Sequence, residues 1–245
     1  MSIIPRFMLW ITRKPGFYPE NIVMKQITCN LKNEFGFLAS VNTQRSIDQH
    51  GKPIPWFTYP AIEYLDSLEL DDALIFKWGS GNSIVYFSER CLSIGSIESD
   101  IRRLEFQRSN IRNNQLIHFR PELSEDYYLA INHGIHEFCD IIIVDGKQRD
   151  KCCRQTIPKL KKSGILILDN SDRYPKLCQS LRDSSFIQID FHGHGPINSY
   201  TWTTSFFLPC IDQILSQSQI LNRFKPNFSS RSSMSVYADD DAPLL

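Results

Sequence analysis

The stretch from Leu74 to Glu98, LIFKWGSGNSIVYFSERCLSIGSIE, constrains this chain more than any other. An apolar run, Leu74-Ile75-Phe76, enters the turn Gly79-Ser80-Gly81-Asn82-Ser83. A helix-compatible segment follows, and a second apolar run, Leu92 to Ile97, stops at Glu98. Strand, glycine turn, helix and strand in that order form one βαβ unit. Its acid stands about 20 positions beyond the first glycine, the layout that holds a nucleotide or nucleoside. Glycines let the backbone bend tightly and approach a ligand, and a carboxylate at the second strand end can accept both hydroxyls of a ribose.

What the unit lacks narrows the ligand. Ile84 stands where a dinucleotide fingerprint has its third glycine, and no Gly-Lys-Ser/Thr phosphate loop is present. A nucleoside without phosphates fits better, and S-adenosylmethionine is the obvious one. Gly-Ser-Gly also makes ordinary tight turns. Placement between two strands, with Glu98 in position, favours the ligand-binding reading.

With 245 residues, 42% of them hydrophobic, the chain can bury one substantial core, so one domain is the default. Lysines and arginines balance the acids, 27 against 27, and this neutrality supplies no global attraction for nucleic acid or an anionic membrane. Apolar runs such as Ile141 to Val144 fall far short of the roughly 20 residues of a membrane helix. Phe7 to Ile11 is apolar but brief, with Pro5-Arg6 before it and Arg13-Lys14-Pro15 after it, so no secretory signal is expected. Seven cysteines without a Cys-x-x-Cys pair point to free thiols and a cytoplasmic location. Cys152-Cys153 reads as two helix neighbours, with a redox pair as the alternative.

Beyond Glu98 the pattern repeats. Leu116 to Phe119 is a short strand, Tyr127 to Ile135 a helix, and Asp140 to Val144 a β-branched strand ending in Asp145-Gly146. Lys151 to Leu160 is a helix interrupted by Pro158, and Gly164 to Leu168 is a strand ending in Asp169-Asn170. Such alternation predicts a parallel sheet covered on both faces. Phe186 to Phe191 and Tyr200 to Leu208 are joined by His192 to Ser199, too short a link for a crossover helix, so this last pair should be antiparallel. Ile211 to Phe224 suits a short helix, and 228–245, Ser-rich and closing on three aspartates, suits a disordered tail. The expected division is an N-terminal extension over 1–50, a nucleoside-binding domain over 51–209, and a C-terminal helix and tail over 210–245. Trp56 and Tyr59, in the Pro53 to Pro60 segment before a helix over Ala61 to Leu68, either cover the ligand or pack that segment on the sheet.

In order and spacing, PWFTYPAIEYL, FKWGSGNS, SIGSIE, DIIIVDGKQR, SGILILDNSDR and TWTTSFF resemble the class I S-adenosylmethionine-dependent methyltransferases, over roughly Pro53 to Leu208. The resemblance implies a Rossmann-like, doubly wound α/β fold: a seven-stranded, mostly parallel sheet with an antiparallel last strand. The cofactor would lie across the carboxyl ends of the first and fourth strands. Tyr59, Gly79, Ser80, Gly81, Asn82, Ser83, Glu98 and Asp145 would bind it, with Glu98 on the ribose. The implied activity is methyl transfer to an oxygen or nitrogen of a small-molecule acceptor.

Asp145, Asp169 and Asn170 are the catalytic candidates. Metal-dependent O-methyltransferases of this fold hold a divalent ion with an Asp after the fourth strand and an Asp-Asn pair after the fifth. Such oxygen ligands suit magnesium or calcium. Alternatives are Asp145 acting as a base or cofactor contact without metal, and Asp169-Asn170-Ser171-Asp172 forming a self-bonded turn. Lys77 occupies a position that is usually acidic in this superfamily, where it would repel the cofactor's ammonium unless it turns away or pairs with an acid. That lysine supports a second hypothesis, a catalytically silent nucleoside-binding module serving a structural or regulatory partner. His192 and His194 could chelate a metal or simply occupy the turn, and His133 with His136 suits a solvated helical face.

Overall fold

A computed structural model describes residues 20–108, 111–134 and 136–210. The Phe7–Ile11 run, the helix expected over Ile211 to Phe224 and the expected tail lie outside these described residues. Seven strands form one sheet: β1 (Leu74–Trp78), β2 (Ser93–Glu98), β3 (Gln115–Phe119), β4 (Cys139–Val144), β5 (Leu160–Asp169), β6 (Phe186–Gly193) and β7 (Trp202–Pro209). Their order is β3-β2-β1-β4-β5-β7-β6. The first five pair parallel, and β7 enters antiparallel between β5 and β6. Strand β6 runs on to Gly193 and β7 starts only at Trp202, so His194 to Thr201 returns the chain as a hairpin, in the register Phe186 opposite Pro209 and Gly193 opposite Trp202.

Alternation along the strands supplies two cores. Ile141 and Ile143 of β4 join Ile75, Ile94, Ile167 and Phe206 on one face. Ile142 and Val144 join Phe76, Trp78, Leu166, Leu168 and Phe207 on the other. Helices α1 (Glu20–Asn33), α2 (Phe37–Thr43), α3 (Tyr59–Asp66), α4 (Asn82–Ser88), α5 (Ile101–Arg108), α6 (Glu125–Leu129), α7 (Arg149–Thr156) and α8 (Pro175–Asp183) complete the described fold. Helices α3 and α4 cover the first face through Ile62, Leu65, Ile84 and Phe87. On the second, Tyr127 of α6, Cys152 and Cys153 of α7, and Cys178 and Leu181 of α8 close the core. Both faces of the strands are therefore buried, which is why they read as apolar runs rather than alternating ones.

Element ends differ from the sequence expectation where turn chemistry decides them. Helix α7 stops at Thr156, so Pro158 follows the helix instead of interrupting it, and β5 begins at Leu160, before the expected Gly164. Helix α6 starts at Glu125 and passes into a 3-10 turn over Ala130–His133. Helix α3 begins at Tyr59 with Pro60 in its first turn, where a missing N–H costs nothing. Among the described residues, no helix is long and apolar enough to cross a membrane.

Candidate functional site

Two loops meet at the carboxyl end of the sheet, where β1 and β4 lie side by side. The loop after β1 turns through Gly79 and Gly81, both at positive φ (89° and 140°), a region that L side chains rarely adopt. The Gly79 N–H donates to the Ile97 carbonyl at 2.8 Å, and the Asp145 N–H donates to the Trp78 carbonyl at 3.2 Å, so each loop is pinned to a neighbouring strand. A Cβ at Gly79 would stand 3.1 Å from the Asp145 carbonyl, and one at Gly146 would overlap the Tyr127 hydroxyl. That hydroxyl accepts the Lys147 N–H at 2.9 Å, and burial pushes its pKa up. At Gly81, by contrast, a Cβ meets nothing within 4 Å: the turn faces an open cleft.

The cleft has a volume of about 1340 Å³ and is lined by Gly79 to Ser83, Glu98, Asp145, Asp169 and Asn170 among others. Seven of the eight expected cofactor residues therefore reach one cavity. Tyr59 does not: it is buried, with its ring 4.6 Å from that of Phe35. Trp56, 42% exposed, lines the cleft in its place. The Asn82 side chain donates to the Ser46 carbonyl at 2.7 Å and so ties the segment before α3 to the glycine turn.

Glu98 is buried at the cleft wall, and its carboxylate is fully engaged. One oxygen accepts the N–H groups of Ser99 and Asp100 at 2.8 Å each. The other accepts the Ser80 N–H at 3.1 Å and the Ser80 hydroxyl. Backbone donors fix its position, and the hydroxyl is the one partner that a side-chain rotation removes.

Lys77 is wholly buried and does not line the cleft; its Nζ lies 2.7 Å from Asp145 Oδ2. It has both turned away and paired with an acid. Arg149 approaches the other oxygen, Oδ1, at 3.5 Å. The same guanidinium donates to the carbonyls of Gly146 (3.0 Å) and Asp169 and to Asn170 Oδ1 (3.1 Å). Asp169 Oδ1 accepts Trp202 Nε1–H at 3.0 Å and the Thr204 hydroxyl at 2.7 Å. Burial, followed by the nearby Asp145 charge, raises the Asp169 pKa to about 7.

These contacts correct the expected metal centre. Asp145, Asp169 and Asn170 do share the cleft, but an ammonium and a guanidinium already meet the oxygens of Asp145 and Asn170, and two neutral donors hold Asp169 Oδ1. A divalent cation there would face two fixed positive charges, so this donor set does not fit one. The His192 ring instead pairs with the Thr203 hydroxyl at 3.0 Å, and among the described residues no group of His, Cys, Asp and Glu is arranged to hold a metal. His133 is exposed as expected, whereas half-buried His136 has its pKa lowered by desolvation.

Sequence reasoning missed Arg149, Tyr127, Trp202 and Thr204. For Arg149 a signal existed, an opposite charge four residues after Asp145. Trp202 and Thr204 alternate on β7, which places both on one face, but only the register of Thr204 opposite Asp169 reveals their target.

No protein-family model and no curated protein matches the chain. Among solved structures it is similar to precorrin-6y C5,15-methyltransferase from Geobacter metallireducens GS-15, at 16% identity and TM-score 0.49, covering 60% of this chain and 86% of that one. An rRNA methylase from Streptococcus thermophilus gives 12% and 0.46, covering 61% and 96%. Human methyltransferase-like protein 13 in complex with SAH gives 14% and 0.45, covering 62% and 78%. The chain's own strand order, with β7 antiparallel between β5 and β6, is a Rossmann-like, mostly parallel seven-stranded sheet, the fold class expected from the sequence.

Proposed function

We propose that this chain binds S-adenosylmethionine in the cleft and transfers the methyl group to an oxygen or nitrogen of a small-molecule acceptor. The observation that carries the reading is the turn itself: two glycines at positive φ, open space in front of Gly81, and a buried carboxylate fixed on the adjoining wall. Gly79 to Ser83 would wrap the methionine part, and Glu98 would take the ribose hydroxyls as the Ser80 hydroxyl rotates aside. When bound, the cofactor supplies a methyl group on a positively charged sulfur. The chain's contribution is to align an acceptor atom behind that carbon and to exclude water.

Asp169, not Asp145, is the proposed base. Both oxygens of Asp145 face cations, so its role is to hold Lys77 and Arg149 in place. Asp169 has one oxygen anchored by Trp202 and Thr204, which leaves Oδ2 to accept the acceptor's proton. Its raised pKa suits that exchange near neutrality. The Asn170 amide oxygen is held by Arg149, so its NH2 group is the part that can orient an acceptor.

Calorimetry with S-adenosylhomocysteine tests the reading. Wild type should bind, and Glu98→Ala should lose about tenfold or more in affinity, the value of a charge-assisted hydrogen bond. Unchanged affinity in a folded variant would remove the site from Glu98. The silent-module reading draws on Lys77, a cation where an acid usually stands; it gains if the ligand binds but no phenol, amine, carboxylate or phosphate acceptor is ever methylated.

A further inference from the structure

We propose that the acceptor is a planar anion, a ring bearing a carboxylate or a phosphate monoester, whose charge is received by Arg173. This rests on the methyltransferase reading for the word acceptor, but the anion site stands on its own contacts. The wall of the cleft away from Glu98 comes from the loops after β4 and β5 and from the β6–β7 link. It presents Arg149, Arg173, Tyr174, Asn198 and Tyr200.

The acids of this wall, Asp145 and Asp169, are both engaged: two cations meet Asp145, and Trp202 and Thr204 donate to Asp169. Asp145 lies between Lys77 and Arg149, and Asp169 beside them is the second carboxylate, so these two cations offset the two acids and the unpaired positive charge of the wall is that of Arg173. Arg173 is exposed, faces the cleft, and forms no ion pair among the described residues. The turn that carries it is fixed to the site, because the Arg173 N–H donates to the Asn170 carbonyl at 3.0 Å.

The aromatic component rests on separate contacts. The Arg149 guanidinium lies 5.7 Å from the Tyr174 ring centroid, and Tyr200 leaves 52% of its surface exposed at the mouth. An aromatic acceptor could lie against either ring while its charged end meets Arg173. A polyanion such as RNA is the less favoured partner. Of the other arginines at the cleft, Arg102 and Arg112 pair with Asp100 and Glu89, and the whole chain is neutral.

Calorimetry on the full chain saturated with S-adenosylhomocysteine, using phenyl phosphate, benzoate, benzyl alcohol and a short single-stranded RNA as probes, decides the matter. Both anions should bind and weaken as salt is raised, benzyl alcohol should not bind measurably, and the ratio of the two anions identifies the headgroup. Arg173→Gln should weaken the preferred anion about tenfold or more, Arg173→Lys should restore part of it, and the affinity for S-adenosylhomocysteine should stay unchanged in both. Benzyl alcohol binding as well as the anions, or an Arg173→Gln variant with wild-type anion affinity, overturns the proposal. So does RNA binding tighter than phenyl phosphate. The anions are also titrated without S-adenosylhomocysteine. If that compound fails to bind but an Arg173-dependent anion still does, the methyltransferase reading falls and the anion site stands.

Discussion

Removing an ammonium from water costs several kcal/mol unless a partner meets it, and Lys77 meets Asp145 at 2.7 Å with no exposed surface of its own. Lys77→Met should destabilise the fold by less than the about 3–5 kcal/mol of an orphaned buried charge, because Arg149 still faces Asp145 and that side chain is 20% exposed. Lys77→Glu should cost more, since it sets two carboxylates together; chemical denaturation ranks the pair, and the reverse order would dismiss the ion pair. Asp169 makes a pH prediction. Unfolded, this carboxyl loses its proton near the ordinary 3.8; folded, it holds the proton until about pH 7. Across that window the folded state binds more protons, so this group's contribution to stability falls as pH rises, by at most about 1.4 kcal/mol per pH unit. Asp169→Asn keeps an acceptor for Trp202 and Thr204 and removes the titration. Its melting temperature relative to wild type should rise from pH 4 to pH 8, and a flat difference would count against the raised pKa.

At the scale of elements, the loops after β1 and β4 cross so closely that each sets the residues allowed in the other. Gly79→Ala forces a Cβ into positive φ and toward the Asp145 carbonyl, and should destabilise the fold by about 1–3 kcal/mol. Gly146→Ala should be as harmful in the wild-type background and less so with Tyr127→Phe, which removes the hydroxyl that its Cβ would strike. Strict additivity in that double-mutant cycle would mean that the loop relaxes some other way. This crossing was half legible. The β-branched run through Ile141 to Val144 marked β4, and the glycines marked the turn, because strand burial and positive φ each leave a residue-type signature. Tyr127 left none, since an aromatic on a short helix has many uses. The end of α7 was misplaced for a related reason: nothing before Pro158 in RQTIP marks Thr156 as the last helical residue.

The whole molecule distributes its seven thiols unevenly. Cys91, Cys139, Cys152, Cys153 and Cys178 are buried, and burial pushes their pKa values up, to about 11 for Cys91 and about 12 for Cys139, while Cys29 and Cys210 are exposed. A thiol reagent at neutral pH should therefore modify two cysteines rapidly in the folded protein and all seven after denaturation. Fast modification of a third would place an opening of the cores on that timescale. Sheet order was legible because strand and helix signals alternated and one link was too short for a crossover. The electrostatics of the cleft were not, because Lys77, Asp145 and Asp169 are brought together only by adjacent strands in register. The position of β7 has a consequence for synthesis. It is the last described strand in chain order, yet it slots between β5 and β6 and carries the two donors that hold Asp169. A nascent chain can pair five strands and still lack a finished cleft, because β6 joins the sheet only through β7, so competence arrives in one step with the closing strand, and a chain cut short before Trp202 leaves the Asp169 carboxylate without its anchors.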